Sequence, residues 1–240
     1  MNTLTRTEML LGSAAIDRLK TAKVMIFGIG GVGSYAAESL VRCGIGNFVV
    51  VDGDTVCVTN INRQIIALPS TVGLVKAEVA RDRMLSINPN AHVTAINAFV
   101  ETDNISQILE PVDYVIDAID TVASKVAIIE RCNELGIPII SSMGAGNKLH
   151  PERFMLADIY ETKVCPLAKV MRKKLREIGI PRLKVCYSEE EPIKPEADSS
   201  SETTHYPAAE RRPPGSISFV PSAVGLIIAG QVVRDIVQIH

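Results

Sequence analysis

Four glycines stand in the run Gly28-Ile-Gly-Gly-Val-Gly33, directly behind the apolar stretch Val24-Met-Ile-Phe27. A strand, a glycine loop and a helix in that order bring backbone N–H groups onto a phosphate at the helix N-terminus. In such a loop the first glycine, Gly28, makes the turn. The second, Gly30, lets a pyrophosphate approach the backbone, and the third, Gly33, admits close packing of helix on strand. Gly31 is a further opening. Asp52 ends the next apolar run, about 20 residues on, where an acid accepts hydrogen bonds from ribose hydroxyls. These residues alone would serve NAD as well as ATP.

The residues that follow separate the two. Asp54 closes the phrase Val51-Asp-Gly-Asp54, and Asn60-Ile-Asn62-Arg63-Gln64 comes after it. Lys76 opens a helix-period segment, and Asp117-Ala-Ile-Asp120 ends a later apolar run. Arg63 as a planar fork and Lys76 as a point charge would flank a polyphosphate. Asp120 would hold Mg²⁺ through the phosphates, because magnesium takes one or two carboxylates and keeps several waters. Singly, Arg63 and Lys76 read as exposed helix-end charges. Together with a second acid at the carboxyl edge of the sheet they read as a triphosphate under attack, hence ATP.

The elements needed to hold these groups are legible from periodicity. Short β-rich runs at 23–28, 47–52, 92–97, 113–117 and 137–141 alternate with helix-period segments at 32–43, 74–87 and 122–135. Gly44 and Gly136 stop two of those helices and Asn88-Pro89 closes the third. The pattern is α/β: a Rossmann-like, doubly wound, mostly parallel sheet covered on both faces. It breaks at Gly146, so the sequence predicts a nucleotide-binding domain over 1–146 and a smaller C-terminal extension over 147–240. The extension carries a strand candidate at 154–159, a basic helix over 166–178, an apolar run at 183–187 and a terminal core helix over 222–237. Between them, 189–215 turns to Glu, Pro, Ser and Thr, the composition of a mobile loop.

Composition bounds the class. With 240 residues, 47% hydrophobic, 4% aromatic, no Trp and a net charge of −2, the chain is long enough for an aliphatic core and is not broadly cationic. Its five cysteines form no Cys-x-x-Cys pair, which points to a reducing compartment and away from structural zinc. The four histidines have no metal-ligand spacing. The N-terminal segment carries Glu8 and Asp17 without a long apolar core, unlike a signal peptide. The apolar stretch 217–233 contains Pro221 and Gln231, short of the roughly 20 residues of a membrane span. The expected location is cytoplasmic.

The motif set Gly28-Ile-Gly-Gly-Val-Gly33, Val51-Asp-Gly-Asp54, Asn62-Arg-Gln64, Val72-Gly-x-x-Lys76 and Asp117-Ala-Ile-Asp120 resembles the ubiquitin-activating-enzyme-like adenylating family. That family includes the enzymes that activate the carriers for thiamine and molybdopterin synthesis. The resemblance covers about Arg6 to Gly146. The phrases Thr59-Asn-Ile-Asn-Arg-Gln64, Val115-Ile-Asp-Ala-Ile-Asp120, Cys165-Pro-Leu-Ala168 and Val185-Cys-Tyr-Ser188 are similar to its branch of dehydratases acting on threonylcarbamoyladenosine in tRNA. The resemblance implies that Asp52 holds the ribose, Arg63 and Lys76 the phosphates, and Asp120 magnesium and the attacked α-phosphate. It also implies a homodimer in which Arg6 reaches the phosphates of the other subunit, and it admits a sulfur-transfer partner protein.

The reaction so implied begins with a carboxylate, a poor electrophile at neutral pH, attacking the α-phosphate of ATP to give an acyl-adenylate. In the tRNA branch a carbamoyl group then closes a ring and expels AMP. The segment Lys163–Lys184 fits an RNA substrate: it holds Lys163, Lys169, Arg172, Lys173, Lys174, Arg176, Arg182 and Lys184 against one acid, Glu177, although a solvated helix face accounts for the same charges. Cys165 and Cys186 read first as buried structural thiols, with thioester chemistry as the alternative. Two other functions remain open. One is an adenylyltransferase for the C-terminal Gly-Gly of a ubiquitin-like sulfur-carrier protein. The other is an NAD-dependent oxidoreductase or a nucleotide sensor, which leaves Arg63, Lys76 and Asp120 together unexplained.

Overall fold

A computed structural model of the protein describes residues 3–194 and 214–239. Two short helices, α1 (Thr5–Leu11) and α2 (Ser13–Thr21), lead into an alternation of β1 (Lys23–Phe27), α3 (Gly33–Cys43), β2 (Asn47–Val51), α4 (Lys76–Ile87), β3 (His92–Ile96), α5 (Ile105–Ile108), β4 (Tyr114–Asp117), α6 (Val122–Leu135) and β5 (Ile139–Ser142). The extension adds β6 (Phe154–Asp158), α7 (Pro166–Glu177), β7 (Lys184–Ser188) and α8 (Phe219–Val237).

The seven strands form one sheet in the order β3-β2-β1-β4-β5-β7-β6. All pairings are parallel except β6 against β7. The apolar runs become strands because both faces are covered, so Val24–Phe27 and Phe48–Val51 are all buried. One face packs on α2, α3, α4 and α8; the other packs on α5, α6 and α7.

Register sets the place of the site. Phe27 lies beside Val51 and beside Asp117, so the chain leaves β1, β2 and β4 at one edge, as Gly28, Asp52 and Ala118. The connections after β1 and β4 run to opposite sides of the sheet, which opens a crevice at the carboxyl ends of the strands.

Helices α1, α2 and α5 have no counterpart among the helix-period segments, and other details differ from the sequence expectation. Helix α8 begins at Phe219 rather than at 222, because Pro221 falls in its first turn, where a missing N–H costs no helical bond. This is the one helix among the described residues long and apolar enough to cross a membrane. Its apolar side is packed against α3: a Cβ on Gly225 would sit 2.4 Å from the Val32 carbonyl oxygen. Most of the stretch read as a mobile loop lies outside the described residues. Its described ends are tied down by Asn147, whose carbonyl accepts the Ile193 N–H (2.8 Å), while its side chain accepts the Gly215 N–H (2.7 Å) and its own N–H donates to Gly215 (2.8 Å). Glu190, inside that stretch, is buried and accepts the N–H groups of Leu149 and His150 at 2.8 and 3.1 Å.

Candidate active site

The crevice is a cavity of about 1160 Å³ lined by Gly28, Gly30, Gly31, Asp52, Asp54, Arg63, Lys76 and Asp120, with Leu167, Pro214, Ser216 and Pro221 from the extension. Eight residues singled out from sequence therefore meet in one place. A second cavity, about 1120 Å³, opens at the other edge of the sheet around Tyr114, Lys184 and Asp235. In it Asp235 accepts from Lys184 (2.6 Å) and from the Tyr114 hydroxyl (2.6 Å).

The glycines divide by physical cause. A Cβ on Gly33 would lie 1.8 Å from the Gly28 carbonyl oxygen, so only glycine lets α3 start this close to β1. Gly28 has φ +86° and would place a Cβ 2.8 Å from the Ala118 oxygen. Gly31 faces the Pro221 ring at 3.0 Å. Around Gly30 the nearest atom is Gln64 Nε2 at 3.9 Å, so its side is open to the cavity.

Asp52 organises the loop as well as facing the cavity. Its two carboxylate oxygens accept the N–H of Ile29 (2.6 Å) and of Asp54 (2.9 Å). Burial pushes its carboxyl above the ordinary carboxylate range, against the pull of the Lys76 charge and these two N–H groups. Lys76, the first residue of α4, is buried rather than an exposed helix-end charge, with Nζ 2.8 Å from Asp54 Oδ2. Arg63 is held in a turn by the Thr59 carbonyl (2.9 Å) and Asn62 Oδ1 (3.0 Å). Asp120 is exposed at the end of the loop after β4.

Three expected residues are not in the cavity wall: Gly33, which instead lets α3 pack on β1, and Asn62 and Arg6. Asn62 is exposed, orients Arg63, and donates to the Ser216 carbonyl at 3.0 Å. Asn60 and Gln64 of the same phrase line the cavity in its place, because the turns at 58–64 alternate which side chains point inward. Arg6 lies on α1, which packs through Leu4 at Gly44, the far end of α3 from the glycine loop. At 1.5 Å per residue, the helix between them is about 16 Å long.

Sequence reasoning missed three features. Gln64 Oε1 and Ser34 Oγ beside the loop are buried with no hydrogen-bond partner among the described residues. Lys125 and Asp117 are fully buried as an ion pair beneath the loop carrying Asp120. The signal was a lone lysine in the apolar stretch of α6. Phe99, also in the cavity wall, belongs to none of the motifs read from the sequence.

The extension reaches the same cavity from the side. Helix α7 starts at its rim near Leu167 and carries Lys173 and Lys174 on its exposed face, each within 4 Å of Glu177. Arg172 is used internally, donating to Thr162, and Arg176 lies 5.1 Å over the Tyr160 ring. Lys184 belongs to the far cavity. Cys165 and Cys186 are both buried, and burial pushes the Cys186 thiol up to about 12.

A family model described as the ThiF family matches residues 4–240. The tRNA threonylcarbamoyladenosine dehydratase of Bacillus subtilis (strain 168) is 42% identical to this chain over 99% of the chain and 96% of that protein. A crystal structure of E. coli tRNA N6-threonylcarbamoyladenosine dehydratase in complex with ATP matches with a TM-score of 0.87 and 34% identity, covering 98% of this chain and 94% of that one. Its complex with AMP matches with a TM-score of 0.87 and 35% identity, covering 97% and 93%.

Proposed function

The chain belongs to the ThiF family, and on that premise we propose that it is an ATP-dependent dehydratase of threonylcarbamoyladenosine in tRNA, acting in the cytoplasm as a homodimer. One observation carries the reading: the glycine loop, Arg63, Lys76 and Asp120 converge on a single cavity, in a chain similar over nearly its whole length to a dehydratase of that name.

The open side of Gly30 and the loop N–H groups receive the phosphates, and Asp52 the ribose. The carboxylate of the threonyl group attacks the α-phosphorus, and the bond to pyrophosphate breaks. Arg63 and Lys76 face the charge that develops on the phosphate oxygens, and both are fixed beforehand, Arg63 by Thr59 and Asn62, Lys76 by Asp54. The carbamoyl group then attacks the activated carbonyl and gives up a proton to solvent, AMP leaves with the carboxylate oxygen, and the substrate has lost the elements of water.

Asp120, exposed and without an ion pair among the described residues, fits a magnesium ligand that shares the ion with phosphate oxygens. Bound there, Mg²⁺ would neutralise phosphate charge. Arg6 is too remote to serve its own cavity and would complete that of a second copy. Residues 1–146 supply most of the nucleotide site in this reading. In the extension, 147–240, Leu167, Pro214, Ser216 and Pro221 close its wall, and α7 presents Lys173 and Lys174 to the RNA.

The test is incubation of the purified protein with ATP, Mg²⁺ and tRNA bearing threonylcarbamoyladenosine, followed by digestion and mass spectrometry of the nucleoside. Loss of one water is expected, absent without ATP and absent in Asp120→Ala. An unchanged nucleoside from folded protein, with AMP transferred to a carrier ending in Gly-Gly, would replace this reading.

A further inference from the structure

The carboxylate of Asp120 makes no hydrogen bond or ion pair among the described residues, so its backbone alone aims it into the cavity. That backbone is held on both sides by the same two residues. Before Asp120, the Ile119 N–H donates to Asp117 Oδ1 (3.2 Å). After it, the Thr121 carbonyl accepts the backbone N–H of Lys125 (3.0 Å). Beneath the loop the side chains of Asp117 and Lys125 meet as a fully buried ion pair. The ammonium uses all three of its donors, on Asp117 Oδ2, Ser141 Oγ and the Ser142 carbonyl. Ser142 and Met143 line the same cavity as Ile119 and Asp120, so one cation ties two stretches of its wall together.

Stability alone does not call for charge at this place. An intact buried ion pair stabilises little or nothing beyond apolar side chains of like volume, and Ala127, Ile128, Ile129 and Cys132, buried on the same helix, are apolar. What the charges add is direction, because a fully satisfied polar network fixes the orientation of every N–H and C=O group it joins. We propose that Lys125 and Asp117 are positioning residues for magnesium: through the Ile119 N–H they hold the Asp120 loop in the geometry at which Asp120 and the nucleotide phosphates share the ion. The proposal rests on the reading of Asp120 as a magnesium ligand.

The test is ATP affinity by calorimetry, in Mg²⁺ and in EDTA. The parent should bind ATP more tightly in Mg²⁺, and Asp120→Ala should lose that gain. Lys125→Met combined with Asp117→Val removes the pair without leaving a charge unpaired, and circular dichroism checks its fold. This variant should bind ATP about tenfold more weakly in Mg²⁺, as expected of an outer-shell partner, and like the parent in EDTA. Adding Asp120→Ala to it should cost nothing further. Lys125→Met combined with Asp117→Asn, nearly isosteric at position 117, keeps an acceptor for the Ile119 N–H and should fall between that variant and the parent. The parent's full Mg²⁺ gain in both folded variants, equal weakening in Mg²⁺ and in EDTA, or a loss that adds in full to that of Asp120→Ala would overturn the positioning role while leaving the magnesium reading standing. A parent whose ATP affinity ignores Mg²⁺, or an Asp120→Ala variant that keeps the gain, would overturn both.

Discussion

Lys125 and Asp117 form an ion pair without access to water: Nζ lies 2.9 Å from Oδ2, and neither side chain has exposed surface. The ammonium also donates to Ser141 Oγ (3.0 Å) and the Ser142 carbonyl (2.8 Å), Ser141 Oγ donates to Asp117 Oδ2 (2.5 Å), and Asp117 Oδ1 accepts the Ile119 N–H (3.2 Å). Strands β4 and β5, helix α6 and the loop leading to Asp120 are thereby joined at one point.

Removing the cation alone should therefore be costly. Lys125→Met leaves a buried carboxylate unpaired, and denaturant unfolding should show a loss of about 3–5 kcal/mol. Adding Asp117→Asn to that variant should recover part of the loss. A single-variant cost below about 1 kcal/mol would mean that the pair is not what holds this corner.

Two glycines three positions apart should fail differently. Gly33→Ala drives a Cβ into the Gly28 carbonyl and should lower the melting temperature. Gly30→Ala meets only Gln64 at 3.9 Å and should melt like the parent, yet weaken ATP at least tenfold because the methyl group occupies the phosphate approach. Calorimetry of both variants with and without ATP decides it. Unaltered ATP binding in Gly30→Ala would move the phosphates elsewhere.

Acid stability should depend on Glu38. Burial raises its carboxyl, but hydrogen bonds and charge from Arg83 and Arg42 outweigh burial and hold it below its ordinary 4.5. For an acid so lowered, the stabilisation is complete above the ordinary value and is lost as pH falls through the folded one. Glu38→Gln should thus be less stable than the parent at pH 7, with the gap narrowing below about pH 4.5. A gap in melting temperature that stays constant across that range would refute the linkage.

Lys173 and Lys174 are two of the exposed cations of α7, with side chains 79% and 54% open. Replacing both with Ala should weaken tRNA binding, reduce the slope of log affinity against log salt by up to about 2, and leave ATP affinity alone. An unchanged salt slope would remove this face from the RNA surface.

Strands β1, β2 and β4 were legible because each is a short apolar run buried on both faces, and the glycine loop because backbone demands show in residue type. Helix α1 was not: none of its residues is buried, so it carries no apolar stripe to read. The inward choice of Asn60 and Gln64 over Asn62 depends on tight turns with no fixed period. The Asp117–Lys125–Ser141 cluster joins three elements whose adjacency exists only after the sheet is ordered. Arg6 lies on α1 at the end of α3 away from the glycine loop, a position set by the packing of Leu4 at Gly44 and by no local pattern.

The contact of Pro221 with Gly31 has a consequence in time. During synthesis the glycine loop emerges early and the helix that covers it emerges late. The sheet of residues 23–142 can order while the ribosome is still elongating, but its nucleotide cavity lacks a wall until residues 219–237 have docked on α3. Nascent chains should therefore acquire protease resistance in the sheet before they can retain a nucleotide.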